Sequence, residues 1–211
     1  MAPKDFQYTY DQIPHHRRAP LILAKYPEMR ELLGSKNPWT FAVILGCVVL
    51  QLVMAWHLKA APTWQIAACA YLVGAYAAHS LFVCIHEAGH NLIFKTTRAN
   101  LIAGLVANLP TIFPTALAFR LYHSKHHSFL SVEEHDADIP SKWEAKLIRG
   151  YSLGKLFWLC FFPVFQILRT PRIKDQRSFD ARIKTNWLVQ AVFTAILYSL
   201  MGPKALIYLM L

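Results

Sequence analysis

Acidic residues are scarce in this sequence: 12 Asp and Glu stand against 22 Lys and Arg, a formal net charge of +10. No basic helix and no aromatic platform accompany that excess, which argues against nucleic acid as a partner. Cytoplasmic loops of membrane proteins collect Lys and Arg in the same way. Cysteine is scarce too. Cys47, Cys69, Cys84 and Cys160 form no C-x-x-C pair and all sit in apolar runs. That pattern excludes a disulfide framework and a cysteine zinc site, and predicts small buried hydrophobes. The start, MAPKDFQYTYDQIPHHRRAP, lacks the apolar core of a cleavable signal peptide. Insertion into a membrane would then fall to the first transmembrane helix.

What is abundant is apolar surface. Hydrophobic residues make up 55% of the 211, and the mean hydropathy is +0.28, more than a soluble domain of this length carries. They cluster in long runs, which predicts an all-α integral membrane bundle. Trp39–Trp56 and Trp64–Ile85 carry no Asp, Glu, Lys or Arg and read as spans joined by a hairpin loop, His57–Thr63. Asn100–Phe119 contains Pro110 and Pro114, which interrupt a helix, so a re-entrant or interfacial hairpin is expected. Tyr151–Leu168, broken at Pro163, is expected to dip into the membrane or lie along it. Trp187–Met201, extended by Thr185 and Asn186, reads as a further span. Residues 1–38 form a polar N-terminal region ahead of a membrane domain at 39–211. Within it Leu21–Gly34, broken at Pro27, reads either as a short helix lying at the interface or as a soluble arm. Ala205–Leu211 opens another apolar run after Gly202-Pro203-Lys204. Its seven residues rise only about 10 Å against a hydrocarbon core of about 30 Å, so a truncated form is expected.

Charge sets an orientation. If 39–57, 64–85 and 185–201 cross and the Pro-broken stretches do not, 20 of the 22 Lys and Arg share one side, with only Lys59 and Lys204 opposite. The positive-inside rule then places the N-terminus and residues 86–184 in the cytosol.

The chemistry lies in histidines. His86 and His90 are spaced i, i+4, which puts two imidazoles on one helix face. HEAGH also fits H-E-x-x-H, the string of a zinc hydrolase with Glu87 as general base. His123, His126 and His127 give H-x-x-H-H, three imidazoles from about one turn. Five histidines exceed the three protein ligands of a catalytic zinc, and imidazole suits iron equally, so two metals sharing nitrogen ligands is the more economical reading. His79 lies one heptad before His86 on the same face and reads as a buried, hydrogen-bonded histidine or a substrate contact. Glu87 reads as a partner orienting a ligand imidazole or as a solvated carboxylate, and Asp136 and Asp138 as similar partners or loop caps.

The ordered set DFQYTYDQIPHHRR, ILAKYPEM, HS-x5-HEAGHN, ANLPTIFP, YHSKHHSFL and DADIP resembles the sphingolipid delta-4 (dihydroceramide) desaturases of the membrane fatty acid desaturase superfamily, over nearly the whole chain. The resemblance implies a cytosol-facing di-iron centre in the endoplasmic reticulum membrane, with His86, His90, His123, His126 and His127 as ligands. It implies His79, Glu87, Asn91, Asp136 and Asp138 as supporting or substrate-side residues. It implies conversion of dihydroceramide to ceramide with O₂ and electrons from cytochrome b5 and its reductase. C4-hydroxylation is the sister activity. The resembling family has a third H-x-x-H-H and a further ligand histidine C-terminal to Leu211. With five ligands this chain alone is expected to be inactive, a non-catalytic lipid-binding or regulatory fragment being the remaining alternative to the zinc hydrolase.

Overall fold

The apolar runs form helices. The structure is a computed structural model that describes residues 14–148, 150–174 and 180–211, and no strand occurs among them. In chain order the helices are α1 (Pro14–Lys25), α2 (Trp39–Leu58), α3 (Thr63–Cys69), α4 (Ala75–Gly89), α5 (Thr97–Asn108), α6 (Ala116–Ser128), α7 (Lys142–Ile148), α8 (Ser152–Cys160), α9 (Phe162–Arg169), α10 (Ala181–Met201) and α11 (Pro203–Met210). They group into two compact units. One takes Glu31–Leu121 and Phe179–Leu211, the other the described residues of Met1–Arg30 and Tyr122–Ser178. The division falls inside α6.

In the first unit, α2 has 20 residues, about 30 Å of helix. Asn37 starts it, its Oδ1 accepting from Trp39 N. α3 and α4 join through a π-turn at Ala70–Gly74 into one helix, Thr63–Gly89. Gly74 leaves its carbonyl to accept from buried Gln51 Nε2 at 3.0 Å, and Tyr208 OH donates to Gln51 Oε1 at 2.7 Å. A Cβ on Gly74 would meet the Tyr208 ring at 3.2 Å, so glycine is needed for this close approach. Ile44, Val48, Leu81, Cys84, Ile85, Ala88, Ala103 and Ala107 form the core between α2, α4 and α5. The small residues of α5 let it close on α4: a Cβ on Gly104 would sit 3.7 Å from that of Ala88.

Two of the three expected spans are thus, among the described residues, the two helices long and apolar enough to cross a membrane, Trp39–Leu58 and Thr63–Gly89. The expected proline breaks also occur. The axis turns by 119° between Thr97–Thr111 and Ala116–Ser128, and by 75° between α8 and α9. The chain is a membrane protein. α10 departs from expectation. At 21 residues it is long enough to cross, yet it is not among the helices that are also apolar enough. Its inner face carries buried Asn186 and Gln190, and these serve the α5–α6 turn. α11 packs Ala205, Tyr208 and Leu209 inward, and Lys204 Nζ donates to Ala61 O.

That turn carries α6 and hence the second histidine cluster. Buried Asn108 Oδ1 accepts from Thr115 N, Ala116 N and Asn186 Nδ2, each at 3.0 Å. Its Nδ2 donates to Phe113 O at 2.7 Å and also reaches Thr111 Oγ1. Asn186 Oδ1 takes Leu117 N at 3.0 Å, and Gln190 Nε2 donates to Leu109 O at 2.9 Å. The first N–H groups of α6, orphaned in any helix, are satisfied by two asparagines. Asn108→Ala should therefore cost about 2 kcal/mol, read as a lowered midpoint of thermal unfolding in detergent, with Asn108→Asp losing less.

In the second unit, α1 is followed by a 3-10 turn at Pro27–Leu32, as the break at Pro27 predicts. Leu21 is exposed there. α8 and α9 present Leu153, Leu156, Leu159, Val164, Ile167 and Leu168 outward. Of the cysteines, all free, Cys84 is buried, Cys47 and Cys69 are half-buried, and Cys160 is exposed on the apolar outer side of α8. The expectation of uniform burial fails for Cys160, because the aromatic-rich run around it turns its apolar side outward.

Candidate functional site

The first histidine pair sits where α4 ends. His86 lies in the last turn, and His90 is the first residue to leave helical geometry (φ −85°, ψ 2°). Asn91 follows at φ +58°, the left-handed region that asparagine tolerates better than most residues. Hydrogen bonds from His90 N to His86 O, Asn91 N to Ala88 O and Leu92 N to Glu87 O close the helix end. The His86 and His90 rings lie 4.6 Å apart at 71°. The i, i+4 reading therefore holds, although helix and cap supply one ring each. Glu87 Oε1 lies 3.4 Å from His86 Nδ1, which favours a proton on that nitrogen. Arg120, on α6, donates through Nη1 to Ala88 O at 3.0 Å and to Asn91 Oδ1 at 3.1 Å. It fastens the first turn and a half of α6 to the end of α4. Asn100 does the same for the following loop: its Oδ1 accepts from Ile93 N and Phe94 N, and its Nδ2 donates to Phe94 O and Thr96 O.

His79 shares the side of α4 that carries His86, but it is exposed, as are Phe82 and Val83. The residues that pack inward are Ala77, Leu81, Cys84, Ile85 and Ala88. The buried, hydrogen-bonded reading of His79 does not hold.

The second cluster lies in the other unit. His123 and His127, one turn apart on α6, bring their Nε2 atoms to 3.0 Å. That is a hydrogen-bonding distance, and it is also about the separation of two nitrogens held at right angles on one ion at about 2.1 Å. His126 points elsewhere: its Nδ1 lies 2.9 Å from Asp136 Oδ1 and 3.4 Å from Asp138 Oδ2. Asp136 is fully buried. It also accepts from Ser131 N and Asp138 N, each at 2.8 Å. A turn with Ser131 at φ +65° brings the loop back beneath the helix. With Ser131 N and Asp138 N already donating to it, Asp136 is an acceptor that favours Nδ1–H on His126. Asp138 is more exposed and accepts from Gln166 Nε2 at 3.0 Å. Neither aspartate caps a helix.

His135 meets the Phe129 ring at 4.6 Å, tilted by 33°. Most of the N-terminal motif DFQYTYDQIPHHRR lies outside the described residues. Sequence reasoning missed Asn108, Asn186, Arg120, Glu144, Arg169 and Arg172. The signals that would have found them are modest: an asparagine before Leu-Pro at a proline-broken turn, and polar or charged residues inside or ending an apolar run.

The clusters are compatible with a metal site. Comparison with known proteins gives the same direction. The fatty acid desaturase family model matches residues 62–211, and the sphingolipid Delta4-desaturase model matches residues 2–38. The chain is 35% identical over 210 residues to a sphingolipid delta(4)-desaturase of Drosophila melanogaster, covering 98% of this chain and 64% of the relative. It is 38% identical over 207 residues to a similarly named protein of Oryza sativa, covering 98% and 62%. It is 33% identical over 213 residues to a sphingolipid delta(4)-desaturase/C4-monooxygenase of Rattus norvegicus, covering 99% and 64%. The chain thus spans less than two thirds of the length of these relatives. No solved structure matches it.

Proposed function

Since the chain belongs to the fatty acid desaturase family, we propose that it carries part of the active site of a sphingolipid delta-4 desaturase, which converts dihydroceramide to ceramide. The observation that carries this reading is the second cluster: two imidazole nitrogens 3.0 Å apart beside a third histidine held by a buried aspartate. In this reading His86, His90, His123, His126 and His127 share one centre, and residues 1–38 precede the desaturase domain at 39–211. Bound iron would supply the activation of O₂ that removes hydrogen from an unactivated C–H bond, with electrons from cytochrome b5 and its reductase. The protein's own work is positional. Asp136 holds the His126 proton on Nδ1. Glu87 favours the same on His86. Asn91 and Arg120 end α4 so that His90 faces His86, and Asn108 and Asn186 start α6. His79, exposed on the His86 side of α4, is a candidate substrate contact. The location is the endoplasmic reticulum membrane with both clusters cytosolic, supported by the one-sided distribution of Lys and Arg. C4-hydroxylation is the second reading, favoured by the name of the rat relative.

The test uses cells lacking their own sphingolipid desaturase. This chain alone is expected to leave dihydroceramide unchanged. Fused to the remaining third of the Drosophila relative, it is expected to yield ceramide by mass spectrometry, and His126→Ala should abolish that product. A fusion that makes neither ceramide nor a C4-hydroxylated product, or one indifferent to His126→Ala, contradicts the reading.

A further inference from the structure

Within the second unit, the loop that carries Asp136 is not held by its own backbone alone. Two arginines hold it, one buried and one half-buried. Arg169, at the end of α9, is 1% exposed. Its Nη1 reaches Asp138 O at 3.2 Å, Ala137 O at 3.4 Å and Gln166 Oε1 at 2.9 Å. Arg172 Nη2 donates to Asp136 O at 3.1 Å and Ile139 O at 2.7 Å. Four consecutive carbonyls, 136 to 139, thus face arginine. Arg169 is itself fixed by Glu144 of α7, which is fully buried. Nε meets both carboxylate oxygens, at 3.0 and 3.1 Å, and Nη2 meets Oε2 at 2.6 Å. Ser141 N and Oγ and Trp158 Nε1 complete the carboxylate's donors. Burial pushes the Glu144 carboxyl up, but these hydrogen bonds outweigh it and hold it down at about 2.

A stability role alone does not explain this arrangement. A buried ion pair is a poor way to stabilise a fold, since a well-packed apolar pair does as well. It is a good way to fix the direction of a guanidinium fork. Here the prong that Glu144 leaves over is aimed at the backbone on either side of the Asp136–Asp138 hydrogen bond. We propose that Glu144 and Arg169 are positioning residues for metal binding: they hold the 136–139 loop so that Asp136 meets His126 Nδ1. This rests on the reading of His126 as a metal ligand.

The double variant Glu144→Met/Arg169→Met separates positioning from stability. It removes the charges together, so no unpaired ion is left buried, and it removes the donors to Ala137 and Asp138. The probe is cobalt(II) alone, titrated into the purified metal-free chain in detergent and followed by its visible absorption, with thermal unfolding measured in parallel. The expected result is an unfolding midpoint close to wild type, cobalt binding weakened about tenfold, and an altered absorption band. If the double variant does not fold, Arg169→Lys decides by the same readout. It keeps a charge beside Glu144 but cannot span the carboxylate and the two carbonyls, and it too should bind cobalt about tenfold more weakly. Wild-type affinity and an unchanged band in the variant that folds would overturn the proposal. A wild-type chain that binds no cobalt would instead sink the metal-ligand reading of His126, and the proposal with it.

Discussion

Arg169→Ala should destabilise the protein by about 3–5 kcal/mol, the largest loss expected from any single substitution in the second unit. The reason is what it leaves behind. Glu144 has no solvent exposure, and Arg169 meets both of its carboxylate oxygens. Without the guanidinium, a desolvated carboxylate keeps only Ser141 and Trp158 as donors. The single variant should therefore unfold well below the Glu144→Met/Arg169→Met double variant, although it changes fewer residues. Acid gives a second view of the same pair. The folded value of Glu144, about 2, lies below the ordinary 4.5. Its contribution is complete above about pH 4.5 and is lost as the pH falls toward 2. The gap in unfolding midpoint between wild type and Glu144→Gln should accordingly be widest near neutrality and shrink from pH 4.5 downward. A gap that is constant across this window would mean that Glu144 is not held ionised by Arg169.

Asp136→Asn should weaken cobalt binding by about 10- to 100-fold. The carboxylate takes Ser131 N on one oxygen, and Asp138 N and His126 Nδ1 on the other. An asparagine fills the same space but can accept on one atom only. Either it gives up Ser131 N, or it turns its NH₂ toward Asp138 N and His126 and forces the imidazole into the opposite tautomer, with the proton on the nitrogen meant for the metal. Asp138→Asn, at a more exposed residue 3.4 Å from His126, should change affinity far less. Equal losses at the two positions would remove the distinction drawn between them.

Much of this was legible in the residues, and the reasons are physical. Trp39–Leu58 and Thr63–Gly89 were readable because an apolar run without charge has few alternatives. The breaks at Pro110, Pro114 and Pro163 were readable because proline removes a donor and clashes with the preceding turn. His86/His90 and His123/His127 were readable because helical spacing puts i and i+4 side by side. The partnership of Asp136 with an imidazole was legible, but not that the imidazole is His126, ten residues back, because the loop between them takes a path that depends on Ser131 at positive φ and on arginines beyond α7. Long-range pairs such as Asn108–Asn186 and Glu144–Arg169 leave no periodic trace. The polarity of α10 was visible, and its meaning was not: Asn186 and Gln190 interrupt an apolar helix because they complete the turn that starts α6.

The most direct test of the account is metal content. The chain, expressed in cells supplied with iron and purified in detergent, should carry iron by elemental analysis. That iron should be lost both when His86 and His90 are replaced by alanine and when His123 and His127 are, as the proposed shared centre requires. Metal that survives replacement of His123 and His127, bound as zinc and dependent on His86 and His90 alone, would contradict the account and leave the H-E-x-x-H hydrolase in its place.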